Sequence, residues 1–260
     1  MHTSPEPPDQ YLSVWNPQSY LRQFYSTPTV PDDTQAVLQF LFEQLQLRNV
    51  RGGRALEFGC GPTIWGALPL TSFVDEIHLA DYLPSNLAEV NQWLQEAPNS
   101  HDWSVYMRYV LTLEGHLEPT ARDLSDRAQT LRARISALCR SDIFQSRCVD
   151  TPIEKFDVVT SFYCLDCIQS DIREWRTFMQ RLSNLVAPGG HLILASILGS
   201  GEYLIEGRKF PVTPLKASDF HQTLLNCGFR EDSLVIRSVP IEDWKDEGFD
   251  QIGLVAASKQ

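Results

Sequence analysis

Apolar and polar positions change period several times along the chain, and each change predicts an element. Residues 11–25 (YLSVWNPQSYLRQFY) place aromatic rings at Tyr11, Trp15, Tyr20, Phe24 and Tyr25, a spacing that gathers several of them on one side of a helical stretch. Residues 26–33, with Pro28 and Pro31, break that period, and 34–47 resume it as an amphipathic helix closed by Arg51-Gly52-Gly53. Residues 55–58 run apolar into Gly59-Cys60-Gly61, which predicts a buried strand, a tight turn and the start of a helix. A second strand is expected over 73–80, ending at Asp81, and a short amphipathic helix over 86–94. Residues 98–141 are less regular. Within them Leu124, Ala128, Leu131, Ile135 and Leu138 form one stripe, predicting a long helix over 123–139, and 139–144 read as the end of a third strand or its loop. Residues 156–162 (FDVVTSF) are nearly all apolar, as a central parallel strand is. A helix over 170–186, a stop at Ala187-Pro188-Gly189-Gly190, a strand over 191–197, a helix over 218–227 and strands over 233–238 and 251–257 complete the pattern.

This alternation predicts an α/β chain with a Rossmann-like, doubly wound, mostly parallel sheet and an N-terminal helical lid. No repeat or low-complexity linker interrupts it. One domain is therefore expected, with a tail and aromatic lid over 1–33, core βαβ units over 34–197 and substrate-side elements over 198–260.

Composition narrows the partners. The 260 residues carry a formal charge of -11, a pI of about 5.0. An acidic surface repels phosphate backbones and anionic membranes, so neither nucleic acid nor membrane is expected as a partner. No apolar run approaches the ~20 residues of a spanning helix, and no secretory signal is visible at the N-terminus. A cytoplasmic monomer acting on a small molecule, with six free thiols, is the expectation. Cys164-Leu165-Asp166-Cys167 lacks a second Cys-x-x-Cys or a His-x-x-His partner, so packed thiols lining a pocket are expected rather than a metal or redox site. Arg127, Arg132, Arg134 and Arg140 make 123–140 locally basic, read as a solvated helix face.

The candidate chemistry centres on the glycine turn. A strand entering G-x-G at a helix start holds nucleotide-like ligands, and Asp81 lies 22 residues beyond Gly59, the spacing of a carboxylate that accepts ribose hydroxyls. The third glycine of a dinucleotide fingerprint is Ile64 here, which argues against NAD and leaves adenosine-type ligands without a pyrophosphate. S-adenosylmethionine, with S-adenosylhomocysteine as its product, fits that description. Asp142 followed by Ile143 can take an adenine amino group and cover the ring.

The stretches QYLSVWNPQSYLRQFY, FGCGPTIW, ADYLPSNL, HDWSVYMRYVLTLEG, FYCLD, LVAPGGHLIL and GEYLIEGRKF, in that order, resemble the nicotinamide, phenylethanolamine and indolethylamine N-methyltransferases and their thioether S-methyltransferase relative. The resemblance covers nearly the whole chain. It implies methyl-donor contacts at Tyr11, Tyr20, Tyr25, Gly59, Cys60, Gly61, Thr63, Trp65, Asp81, Tyr82, Asn86, Asp142, Ile143 and Phe162. Cys60 replaces a usual serine and Trp65 a usual tyrosine. On the acceptor side it implies Tyr20, Tyr203 and an acid at Asp166, which would orient a cationic amine and relay its proton. The pattern then departs. Where the nicotinamide enzyme's fifth strand ends in Asp, this chain has Ser196, and where the phenylethanolamine enzyme has Glu, it has Ser200. The acidic segment 241–251 could supply a replacement, Asp250 being one candidate. The expected reaction is methyl transfer to an amine or heteroaromatic nitrogen of a small molecule. Transfer to sulfur, selenium or oxygen, and a non-catalytic donor-binding protein, stand as alternatives.

Overall fold

The computed structural model describes residues 14–260, so Tyr11 lies outside the described residues. The first helix, Pro17–Phe24 (α1), starts where Asn16 accepts the Ser19 amide and Pro17 presets the first turn. It is followed by Asp32–Leu47 (α2), Arg54–Phe58 (β1), Ala67–Leu70 (α3), Glu76–Asp81 (β2), Pro84–Leu94 (α4), Ser104–Leu113 (α5), Ala121–Arg134 (α6) and Ile135–Arg140 (β3). The second half runs Phe156–Phe162 (β4), Ile172–Ser183 (α7), Val186–Ile197 (β5), Glu202–Ile205 (β6), Arg208–Pro211 (β7), Ala217–Asn226 (α8), Val235–Pro240 (β8) and Gln251–Ser258 (β9).

Seven strands form one sheet in the order β3-β2-β1-β4-β5-β9-β8. The first five are parallel, and β9 runs antiparallel between β5 and β8. β6 and β7 pair as a separate hairpin. The order reverses between β1 and β4, so the carboxyl ends of those two strands diverge into a crevice. Both faces of the central strands are covered, and alternate residues face opposite layers. Ala55 and Val158 pack with α2, α4, α5 and α6, whereas Leu56 and Val159 pack with α7 and α8. The stripe Trp175, Phe178, Met179 and Leu182 of α7 is buried throughout, each side chain contributing ~1.5–3 kcal/mol.

Two expectations are corrected. The helix after the glycine turn is only four residues, Ala67–Leu70; Pro62 and Pro69 each lack an amide donor, and residues 59–66 run as turns instead. The long helix expected over 123–139 stops at Arg134, and β3 begins at the β-branched Ile135. Leu124, Ala128 and Leu131 belong to the helix; Ile135 and Leu138 belong to the strand.

Of the four arginines expected on a solvated face, Arg127, Arg132 and Arg134 are half-buried and Arg140 is exposed. Arg127, its side chain 9% exposed, is ion-paired with Glu114, 11% exposed, and donates to the Leu68 carbonyl at 3.1 Å and to Thr71 Oγ1 at 2.5 Å. Arg132 lies over the Trp93 ring at 4.2 Å, and Arg134 reaches the Val74 carbonyl. Arg140 lies over Tyr82 at 5.6 Å. Arg127 and Arg134 pin α6 to the irregular connection between β1 and β2. Among the described residues no helix is long and apolar enough to cross a membrane.

Arg127→Ala leaves the half-buried Glu114 without its cation, a change that costs about 1–3 kcal/mol. Thermal unfolding is expected to fall by several degrees. A shift of less than about 1 °C would mean that the pair is worth no more than a surface ion pair.

Candidate active site

The crevice holds a cavity walled by the carboxyl ends of β1, β2 and β4, the turns after them, and the inner side of α1. At its centre Gly59 adopts φ +74°, and a Cβ there would run into the Cys164 side chain. The Gly59 and Cys60 amides both donate to the Ala80 carbonyl, at 2.7 and 3.0 Å, which locks the turn against β2. Thr63 closes it by donating to the Cys60 carbonyl at 2.7 Å. Ile64, where a dinucleotide site has its third glycine, is fully buried in the core. Close approach occurs instead at Gly66, where a Cβ would meet Glu57 Oε1 at 2.5 Å and the Phe162 ring at 2.9 Å.

Asp81 ends β2 with its carboxylate buried. Oδ2 accepts the Gly61 amide at 2.9 Å, and Oδ1 accepts the Leu83 amide at 2.8 Å and Asn86 Nδ2 at 2.9 Å. Burial raises its pKa above the ordinary value, and these three donors and Arg140 counter part of the rise. Asn86 Oδ1 in turn accepts Trp15 Nε1 at 2.7 Å, so the acid is tied to the lid. Trp15 meets Phe210 edge-on, and Gln23 exchanges hydrogen bonds with Leu204 and Glu206, which seats α1 on the β6–β7 hairpin. Tyr25, Trp65 and Phe162 stack in sequence at centroid distances of 6.4 and 5.2 Å. On the far side, Asp142 accepts the Phe144 amide at 3.0 Å beside the buried Ile143.

Of the residues expected around the donor, Tyr20, Tyr25, Gly59, Cys60, Gly61, Thr63, Trp65, Asp81, Tyr82, Asn86, Asp142, Ile143 and Phe162 all line this cavity. A second, smaller cavity adjoins it, lined by Phe24, Asp33, Thr34, Ile197, Trp244 and Phe249. Tyr20, Tyr25, Tyr163, Cys167 and Tyr203 line both. Tyr163 has φ +52°, a strained backbone for a bulky side chain, and it follows directly on β4.

The acceptor-side expectations fare differently. Tyr20 and Tyr203 stand on the shared wall, but Asp166, Ser196, Ser200 and Asp250 line neither cavity. Asp166 is buried; its Oδ2 accepts the Ile197 amide at 2.7 Å, and its carbonyl accepts the Thr213 amide. It fastens the loop after β4 to the end of β5, and burial, partly offset by the Ile197 amide, lifts its pKa to about 6. Ser196 is buried within β5, paired with Gly253 of β9. Ser200 is half-buried and bonded to the Glu202 backbone. Asp250 is exposed, and the acidic segment sends Trp244 and Phe249 inward while its carboxylates face solvent.

Three residues escaped sequence reasoning. Tyr163 was hidden in an apolar strand end. Glu57 had a signal, an acid inside the otherwise apolar β1; it lines the larger cavity with Oε2 buried and, among the described residues, unpartnered. Asp33 carried none, because an acid beside Asp32 at a helix start reads as ordinary capping. Cys60, Cys164 and Cys167 line the larger cavity as free thiols, and no cluster of metal-ligating side chains occurs among the described residues.

Residues 6–259 match the model of the NNMT/PNMT/TEMT family. The nicotinamide N-methyltransferase of Homo sapiens is 30% identical over 226 residues, covering 85% of this chain and 84% of that one. The indolethylamine N-methyltransferase of Oryctolagus cuniculus is 26% identical, covering 87% of each. The magnesium protoporphyrin IX methyltransferase of Synechocystis, solved with bound S-adenosylmethionine, superposes with a TM-score of 0.57 at 15% identity over 97% of this chain and 94% of that one, a likeness of fold.

Glu57 allows a pH test. Burial raises its pKa from 4.5 to about 8, so the folded state binds this proton more tightly than the unfolded chain. Its stabilising share is complete below about pH 4.5 and is lost as pH rises to about 8, a swing on the order of 4 kcal/mol. Unfolding of Glu57→Gln, which cannot ionise, is expected to gain on the unmodified protein between pH 5 and 8. Parallel melting curves over that range would refute the assignment.

Proposed function

The chain belongs to the NNMT/PNMT/TEMT family and is an S-adenosylmethionine-dependent methyltransferase, and on that premise we propose that it methylates a nitrogen of a small amine or heteroaromatic acceptor held in the second cavity. The observation that carries this reading is the junction of the two cavities at Tyr20, Tyr25, Tyr163, Cys167 and Tyr203. One compartment suits an adenosine-bearing donor, the other a molecule of one or two rings, and they meet across a single aromatic wall.

The larger cavity fits the donor by its chemistry. Asp81 and Asp142 bring carboxylates to its lining, with Glu57 beside them as a carboxylic acid that burial keeps protonated, and no Lys or Arg is among the described residues there. Such a lining is hostile to a pyrophosphate and favourable to a cationic guest. The bound donor supplies a methyl group already activated on a sulfonium. In this reading Asp81 accepts the ribose hydroxyls with its remaining lone pairs, and Tyr82 and Asn86 flank it. Asp142 and Ile143 hold the adenine. Gly59, Cys60, Gly61 and Thr63, with Tyr20, Tyr25, Trp65 and Phe162, enclose the methionine part.

Methyl transfer from a sulfonium is an in-line displacement, so the protein's task is alignment and exclusion of water. The closed lid and the stacked Tyr25, Trp65 and Phe162 serve both. Asp166 acts as a positioning residue, holding the loop that carries Tyr163, Cys164 and Cys167 against β5. Nicotinamide and indolethylamine, named for the two relatives, are small aromatic acceptors that match the aromatic lining. The protein is expected to act as a monomer in the cytoplasm, without nucleic acid or membrane.

Asp81→Ala is expected to weaken S-adenosylhomocysteine binding by about 100-fold or more, equivalent to ~2.7 kcal/mol, as read by calorimetry. Unchanged affinity would remove the ribose assignment. With a labelled methyl donor, nitrogen acceptors such as indolethylamine, phenylethanolamine or nicotinamide should become labelled. Label appearing on thiols alone would overturn the choice of nitrogen.

A further inference from the structure

The second cavity contains a carboxylate that the methyl-donor reading does not use. Asp33 stands in the first turn of α2 and is 5% exposed. Its neighbour Asp32 performs the structural work at this helix start. Asp32 Oδ2 accepts the Glu242 amide at 2.7 Å, and the Asp32 amide donates to Asp243 Oδ2 at 2.9 Å, which staples the segment carrying Trp244 onto α2. Asp33 turns inward instead. Its Oδ1 accepts Trp244 Nε1 at 2.7 Å and Thr34 Oγ1 at 3.3 Å, and the Tyr163 hydroxyl lies beside the carboxylate.

The surroundings are aromatic. Phe24 and Trp244 meet edge-on at 5.0 Å, Tyr20 lies 5.1 Å from Phe24, and Tyr163 lies 6.5 Å from Phe249. Among the described residues lining this cavity there is no Lys, Arg or His. Burying a carboxylate without a cation is costly, and it persists where a partner arrives from outside or where it serves a ligand. Burial raises the Asp33 pKa, and the Trp244 indole, the Thr34 amide and Tyr163 pull it back. Trp244 Nε1 and Thr34 Oγ1 both donate to Oδ1, and the two carboxylate oxygens together keep further lone pairs for an N–H donor. A carboxylate at the end of an aromatic box is the chemistry that binds an alkylammonium group: a charge-assisted hydrogen bond at one side and ring faces around the rest.

We propose that Asp33 anchors the acceptor's ammonium group, and that the second cavity selects small cationic primary or secondary amines with an aromatic body over acceptors whose nitrogen is uncharged. This rests on the second cavity being the acceptor site. It locates the amine-recognising charge at the start of α2, behind the lid, rather than at the end of β5 or in the 241–251 segment.

The probes are indolethylamine, which is cationic at neutral pH, its uncharged alcohol isostere indole-3-ethanol, and nicotinamide, each titrated by calorimetry into the protein saturated with S-adenosylhomocysteine. The unmodified protein is expected to prefer indolethylamine to indole-3-ethanol by about 10- to 100-fold. Asp33→Asn should lose that preference, raising Kd and KM for indolethylamine by the same factor. Its affinity for S-adenosylhomocysteine and for nicotinamide should stay within about twofold, and Asp33→Glu should recover part of the loss. No preference for the ammonium in the unmodified protein overturns the proposal without recourse to any variant. So does a loss in Asp33→Asn that is equal for indolethylamine and nicotinamide. If Asp33→Asn weakens the amine selectively while no nitrogen acceptor is methylated, the anchor stands and the proposed reaction falls. If amines are methylated and Asp33→Asn handles them normally, the reaction stands and the anchor falls.

Discussion

The carboxylate of Asp81 is the interaction on which the geometry of the larger cavity depends. It accepts the amide of the glycine turn after β1, the amide at the start of α4 and the side chain of Asn86. Through Asn86 it reaches Trp15 ahead of α1. One acid therefore sets the relative position of two βα turns and the lid. Burying that charge costs several kcal/mol, and the three donors offset the cost only while all three elements stay in register. The turn cannot relax without leaving the carboxylate partly unsatisfied, which is a physical reason for the cavity to be preformed.

The lid uses a different currency. Its contacts are mostly aromatic: Trp15 on Phe210, Tyr20 on Trp15 and Phe24, Tyr25 on Trp65 and Trp103. Rings bury large areas with few rotatable bonds, so the lid excludes water with little polar matching. The Tyr20 and Tyr25 hydroxyls lie 3.4 Å apart at the junction of the two cavities, and burial pushes both pKa values up. They stay protonated at neutral pH and can donate to a guest from either side.

The parts of this architecture that were legible in the sequence are local ones. β1 and β4 are mostly apolar runs between breakers, and the residues expected around the donor sit on turns a few residues long, so spacing locates Gly59 and Asp81, and an acid followed by an apolar residue locates Asp142. The boundary at Arg134 and Ile135 was not legible, because Leu124, Leu131 and Leu138 keep helical period across it while only the sheet edge beside β2 turns the chain into a strand. The arginines of α6 look solvated until the short, proline-interrupted segment after β1 exposes carbonyls for them to cap. Asp33 is the extreme case. Its partner Trp244 is 211 positions away, and nothing in PDDT distinguishes an acid that caps a helix from one that faces a cavity.

That division has a consequence for how the two halves of the site can change. The larger cavity is built from backbone amides converging on one buried acid, so a substitution there disturbs several elements at once. The second cavity is assembled from side chains of α1, α2, the loop after β4, β5, β6 and the 241–250 segment, with α2 and that segment tied by the Trp244–Asp33 hydrogen bond. Ser196 and Ser200 stand where the resemblance implies acids, and Asp166 is committed to the Ile197 amide. A cationic acceptor still needs a counter-charge in a water-poor cavity, because an ammonium group loses its hydration there. A carboxylate on the neighbouring helix satisfies the same electrostatic requirement from a different direction. In the proposed arrangement the larger cavity fixes the methyl donor, while the amine is recognised by Asp33 from the side of α2.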